Sequence, residues 1–283
     1  MTIFDIISDK QYQHKGILTK LICYFMDIKK DDIVKHYDDT IDQSKIDQII
    51  SSYKRYDTNK EPIEYILGYV EFLNYKFDID DRALIPRAET EYMIQAVSEY
   101  LHALDSRDIE VRDIGCWCGV LWLSVVLHNI SKIYKLILTD SEQTCLDLTR
   151  QNILKYKNKR RDIEIITIQS DLLSFVKEHR DIDKKIVIVS NLPYIPDDTF
   201  DQNADESAKK REPRVAFLGG KDGLDLYRKM LDQVIVSELY PVMFLEMMTW
   251  QVDRLIQEYG DRFEFEVKKT FHFNIVIVKV SKR

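Results

Sequence analysis

The chain has 283 residues, 41 basic and 48 acidic, with a formal charge of −7, and at roughly 150 residues per domain this length suggests one large domain or two. Apolar types make up 45% and charged types 31%, which is enough to bury a core and excludes a disordered chain. The acidic balance is spread along the sequence and provides no field for nucleic acid in bulk or for anionic lipid.

No run approaches the roughly 20 apolar residues that cross a bilayer, and the opening MTIFDIISDK has no signal-peptide core. A cytoplasmic chain without membrane contact is expected. Cys23, Cys116, Cys118 and Cys145 form no C-x-x-C pair and have no clustered histidines nearby, so neither a metal site nor a disulfide framework is expected. The 8 glycines fall well short of the number that average usage of about 7% gives. With Ile, Lys, Asp and Tyr abundant, an AT-rich gene explains part of the skew.

In residues 1–60, Ile3, Ile6 and Ile7, then Ile17, Leu18, Leu21, Ile22 and Phe25, then Ile46, Ile49, Ile50 and Tyr53 recur at helical spacing. A small helical domain is predicted there. Residues 61–90 mix aromatic and β-branched types in partial alternation, which predicts a β-hairpin linker and a loop pinned at Pro86. The stretch EYMIQAVSEYLHAL then returns to helical periodicity and opens a larger domain over 91–283.

From residue 108 onward strands and helices alternate. Candidate strands cover 110–115, 135–140, 163–170, 185–191, 241–247, 263–270 and 274–280, mostly short β-branched runs such as LILTD and KIVIVS. Runs of that kind suit a parallel sheet buried by helices on both faces. The last two lie too close together for a helix between them and should pair antiparallel. A Rossmann-like α/β sheet, mostly parallel with a terminal antiparallel hairpin, is the arrangement of S-adenosylmethionine-dependent methyltransferases rather than of ordinary dehydrogenases.

Ligands of open α/β sheets collect at the carboxyl ends of strands where the order reverses. Three such ends carry matching cofactor signals here. In DIGCWCG, Asp113, Gly115, Cys116, Trp117, Cys118 and Gly119 form a turn whose backbone N–H groups and following helix can face an anion; an ordinary strand-to-helix turn would read the same way. Asp140 closes the next strand and can accept both ribose hydroxyls or cap the helix that follows. Asp171 and Leu172 come next, an acid and an apolar wall for the adenine end of a cofactor.

The fourth end is SNLPYIP. In Asn191-Leu192-Pro193-Tyr194 the proline restricts itself and the residue before it, which aims the Asn191 side-chain oxygen and the Leu192 carbonyl at one N–H₂ group. Amide and exocyclic nitrogens are poor nucleophiles because their lone pairs are delocalised. Two preorganised acceptors favour the pyramidal geometry that presents the lone pair to a methyl donor. Tyr194 can pack on the planar group.

These segments, together with PIEYILGYVEF, LIPRAETE, QSD and EPRVAFLGGKDGLDLYRKML, resemble the release-factor glutamine methyltransferases, the PrmC/HemK family, over nearly the whole chain. The resemblance implies S-adenosylmethionine as cofactor and a peptide chain release factor as protein partner, methylated at N5 of the glutamine in its Gly-Gly-Gln motif. It also implies a docking role for the N-terminal helices and a substrate slot walled by Arg87, Glu89 and the loop 197–214; a monomer is expected, and the acidic balance speaks against a direct nucleic-acid partner. Acids such as Glu89 and Glu91 also suit a helix N-terminus. Two alternatives stand beside it: a DNA or RNA exocyclic-amine methyltransferase, which the same tetrapeptide would serve, and a protein that binds its release factor without turnover.

The last alternative comes from the departures. Leu192 and Ala88 replace usual prolines. Trp117, Trp122 and Trp250, the 3 tryptophans, stand where the family has glycine or a small residue, and an indole at 117 should fill the cofactor pocket. Three coincident departures in an AT-rich gene point to UGA codons, decoded as glycine in the source and as tryptophan here.

Overall fold

The computed structural model describes residues 1–105, 108–121, 132–159, 162–177, 184–203, 205–270 and 274–283. It divides into one unit of Met1–Tyr69 with Asp205–Arg211 and another of Val70–Ala204 with Glu212–Arg283.

In the first unit, Thr2 and Asp5 cap α1 (Ile3–Ser8) reciprocally. The Thr2 hydroxyl accepts from the Asp5 N–H at 3.1 Å, and the Asp5 carboxylate accepts from the Thr2 N–H at 2.8 Å. Leu18, Leu21 and Ile22 of α2 (Lys15–Met26) bury against Ile46, Ile49 and Tyr53 of α3 (Gln43–Asp57), whose first turn Asp42 caps. The sequence predicts that PIEYIL begins the hairpin, but Ile63–Leu67 form a helical turn, α4. Ile63 and Leu67, four apart, both reach the apolar core of this unit, and Gly68 at φ 76° ends the turn.

The hairpin itself, β1 (Tyr69–Phe72) and β2 (Tyr75–Asp78), turns through Leu73 and Asn74, both at positive φ, as a tight two-residue hairpin turn requires. All seven predicted strands then form one sheet from β3 (Ile109–Ile114), β4 (Ile133–Asp140), β5 (Glu164–Gln169), β6 (Lys185–Ser190), β7 (Val242–Met248), β8 (Phe263–Thr270) and β9 (Ile275–Lys282). Its order is β5-β4-β3-β6-β7-β9-β8. The first five run parallel, and β9 is antiparallel to both β7 and β8.

Every residue of β3 is buried, as a central strand covered on both faces must be. Helices α5 (Ala88–Ala103), α6 (Gln143–Tyr156), α7 (Asp225–Val236) and α8 (Thr249–Tyr259) accompany the sheet. The helix expected after the β3 turn starts at Val120; its continuation, including Trp122, lies outside the described residues. The stretch read as a plain loop over 197–214 contains helical turns at Phe200–Asn203 and Glu206–Arg211. Among the described residues no helix is long and apolar enough to cross a membrane.

Because β3 lies between β4 and β6 while the chain leaves it in one direction and returns on the other side, the carboxyl ends of β3 and β6 flank the switch point of the sheet. The turns at Gly115 and Asn191 therefore sit side by side.

Candidate active site

The turn after β3 is tight. Gly115 lies at φ 74°, and a Cβ there would come 3.1 Å from Leu192 Cδ2, so a side chain would push into the neighbouring corner. Trp117 holds φ 52°, a left-handed conformation that costs an L-residue roughly 1–2 kcal/mol. Its backbone N–H donates to Asp140 Oδ2 at 3.0 Å, and the Thr149 hydroxyl donates to its carbonyl at 3.0 Å. The indole Nε1–H reaches the Asn191 carbonyl at 3.4 Å. Trp250 needs no such backbone, lying inside α8 and 43% exposed.

Asp140 is 4% exposed and accepts from the Trp117 and Glu142 N–H groups, at 3.0 Å each. Burial raises its carboxyl to about 6, against the pull of those bonds. It is thus both a turn cap and, through its remaining lone pairs, an acceptor for hydroxyls. Asp113 is wholly buried, and among the described residues neither of its carboxylate oxygens has a hydrogen-bond partner. Burial first, and then the charge of Asp140, hold its carboxyl well above the usual range. Asp171 is exposed and ion-paired with Lys229.

One cavity gathers Gly115, Trp117, Asp140, Asp171, Leu172, Leu192 and Pro193. Cys116 and Cys118 face a smaller void beside it with Trp117 and Asn191, and Gly119 lines neither. Burial pushes the Cys118 thiol up to about 12 and Cys116 well above its ordinary value, so both are neutral packing groups. The first cavity holds about 140 Å³, less than the roughly 300–1,000 Å³ of ligand pockets, and the Trp117 side forms part of its wall.

A second cavity, of about 180 Å³, lies across the corner and gathers Arg87, Glu89, Asn191, Leu192, Tyr194 and Glu246. Leu192 lines both cavities and Pro193 only the first; the corner is the wall between them. Asn191 Nδ2 donates to Thr90 Oγ1 at 3.3 Å. The Leu192 carbonyl, expected to open into the slot, lies 3.1 Å from the buried Tyr227 hydroxyl, whose single proton it shares with the Glu246 backbone carbonyl, so at most one of its two lone pairs is used.

The corner is packed from behind by backbone. A Cβ at Gly223, which has φ 72°, would lie 2.1 Å from the Tyr194 carbonyl, a close approach only glycine permits. The same carbonyl accepts from Gln251 Nε2 at 2.8 Å. Arg87 is held by Glu212 at 2.7 Å. Thr90, Glu212, Tyr227 and Gln251 brace residues of the candidate site and Glu246 lines its second cavity; none of them stands out in the sequence as a candidate. The one local signal was an acid inside the apolar run VMFLEMM.

A mostly parallel sheet with a terminal antiparallel hairpin and ligand loops at its switch point defines the Rossmann-like methyltransferase class. Solved structures agree: human methyltransferase 10 domain containing protein has a TM-score of 0.53 at 14% identity, covering 75% of this chain and 89% of that chain. The hMettl16 catalytic domain has a TM-score of 0.54 at 11% identity, covering 96% and 94%. No family model matches the chain.

Sequence relatives narrow the class. A release factor glutamine methyltransferase of Borreliella burgdorferi is 31% identical over 226 residues, 78% of this chain and 70% of that protein. The Clostridium botulinum protein of the same name is 36% identical over 178 residues, 62% of this chain and 58% of the relative. The chain belongs to the release factor glutamine methyltransferase family. It spans about 58% of the length of the first curated relatives it matches.

Proposed function

We propose that the chain methylates the side-chain nitrogen of the glutamine in the Gly-Gly-Gln motif of a peptide chain release factor, using S-adenosylmethionine. The observation that carries this is the corner 191–194 standing between two cavities, one beside the acid-bearing strand ends and one beside the Asn191 amide. The family relatives name the same reaction class.

The donor set fits the cofactor: Asp140 would accept its ribose hydroxyls, Leu172 and Leu226 would flank its base, and the Gly115 turn would face its amino-acid end. The buried Asp113 carboxyl at the end of β3 has no hydrogen-bond partner among the described residues. The space fits less well, since Trp117 narrows it. When bound, the cofactor supplies an electrophilic methyl group on a sulfonium.

The chain's part is to bind and orient the acceptor. The Asn191 side-chain oxygen and the second lone pair of the Leu192 carbonyl take the two N–H bonds of the carboxamide. That draws its nitrogen toward pyramidal geometry and supplies transition-state stabilisation from fixed dipoles. Tyr194, whose phenol burial keeps neutral, packs on the amide plane. Arg87, held by Glu212, walls the slot. Holding the two partners in line contributes as much as any chemical group.

Mass spectrometry of a release factor incubated with the chain and S-adenosylmethionine checks this. One added methyl on the Gly-Gly-Gln peptide is the expected result; methyl transfer to an adenine oligonucleotide alone would replace this reading with the base-methyltransferase one.

A further inference from the structure

Glu246 stands near the middle of β7, 1% exposed among apolar neighbours. An acid in such a place is costly unless hydrogen-bonded. It accepts from the Thr90 hydroxyl through Oε2 at 3.1 Å and from the Tyr194 hydroxyl through Oε1 at 3.2 Å. The same Thr90 oxygen accepts from Asn191 Nδ2 at 3.3 Å, and the Asn191 amide also donates to the Glu246 carboxylate itself. Three parts of the chain, α5, the corner and β7, thus meet at one carboxyl.

We propose that Glu246 is a positioning residue that sets the orientation of the Asn191 amide through Thr90, and so keeps the Asn191 oxygen turned to the substrate carboxamide. This rests on the glutamine-methyltransfer reading. An ionised carboxylate only accepts. Thr90 has one hydroxyl proton and gives it to Glu246, so it offers only lone pairs to Asn191. The amide must then present its N–H₂ to Thr90, which leaves its oxygen on the opposite prong.

Protonation undoes the logic. A neutral Glu246 can donate to Thr90, freeing the threonine proton for the amide oxygen, and a reversed Asn191 would set N–H against the N–H of the substrate. Burial raises the Glu246 carboxyl to about 7, opposed by the bonds from Thr90, Tyr194 and the Asn191 amide and reinforced by the charge of Glu89. The other groups facing it are Tyr194 and Tyr227, both held neutral by burial, and Arg87 lines the same cavity.

The sign separates positioning from structure. A carboxyl whose pKa is higher folded than unfolded contributes stability that is lost as pH rises toward about 7. Activity, by contrast, should rise over that interval, because only the ionised form orients Asn191.

The test combines kinetics on a release-factor substrate with NMR of the Asn191 side-chain amide, labelled in asparagine. In the wild type, kcat is expected to show an acid limb near 7, and the Asn191 amide resonances to titrate with it. Glu246→Gln and Thr90→Val are expected to lower kcat about tenfold or more with little change in cofactor KM, and to flatten both profiles. Thr90→Ser, which keeps the hydroxyl, should restore them. An Asn191 amide that does not titrate in the wild type overturns the proposal even if no variant folds, as do variants that fold and keep full kcat and the acid limb. A wild type that never methylates the release factor refutes the parent reading instead, and the NMR titration still decides the role of Glu246.

Discussion

Asn191→Ala should lower kcat about 10²- to 10³-fold, the size of effect seen when one preorganised hydrogen-bond partner of a transition state is removed. The side-chain oxygen holds nothing that the fold depends on: the amide nitrogen side bonds Thr90 and Glu246, and the corner keeps its shape through Gln251, Tyr227 and the close packing of Gly223. Cofactor affinity should therefore change much less than kcat. Steady-state kinetics on the release factor with calorimetry of cofactor binding separates the two. A variant with kcat within a few-fold of wild type would make Asn191 an ordinary turn residue.

Trp117→Gly has the opposite sign and an effect of similar interest. Two independent features of position 117 favour glycine. Its backbone lies in the left-handed region, where glycine carries no Cβ penalty, and its side chain lines a cavity of only about 140 Å³. Trimming it should tighten cofactor binding by at least about tenfold, or roughly 1.4 kcal/mol, as read by calorimetry. Equal affinities would show that the indole does not obstruct. If the variant gains turnover that the present chain lacks, the binding-only alternative falls away. Reading the gene settles the origin of the residue, since UGG at 117, 122 and 250 would end the recoding idea. Position 250 gives that idea no structural support, because an exposed helical tryptophan needs no replacement by glycine.

How far the sequence reaches is set by the range of the forces involved. The seven sheet strands were legible because each is a short β-branched run with its own local signature, and the antiparallel hairpin because so few residues join β8 to β9. The turn α4 was misread: PIEYIL has the aromatic and β-branched composition of a strand, but its apolar pair four apart faces the helical core, and tertiary burial outweighed propensity. The positions of Asp140, Asp171 and Asn191 just at or after strand ends, beside the cavities, were legible because each follows a short β-branched run. Glu246 and Thr90 were not, since their bond joins residues 156 apart in sequence and only the folded sheet brings them together. The direction of the Leu192 carbonyl likewise depended on Tyr227, 35 residues away.

The most direct measurement is a crystal structure of the Trp117→Gly chain with S-adenosylhomocysteine and a Gly-Gly-Gln peptide. The glutamine carboxamide is expected in the cavity beside Tyr194, its nitrogen within hydrogen-bonding distance of the Asn191 side-chain oxygen and facing the cofactor sulfur across the corner. A glutamine bound elsewhere, or an Asn191 amide turned with its nitrogen toward the peptide, would contradict it.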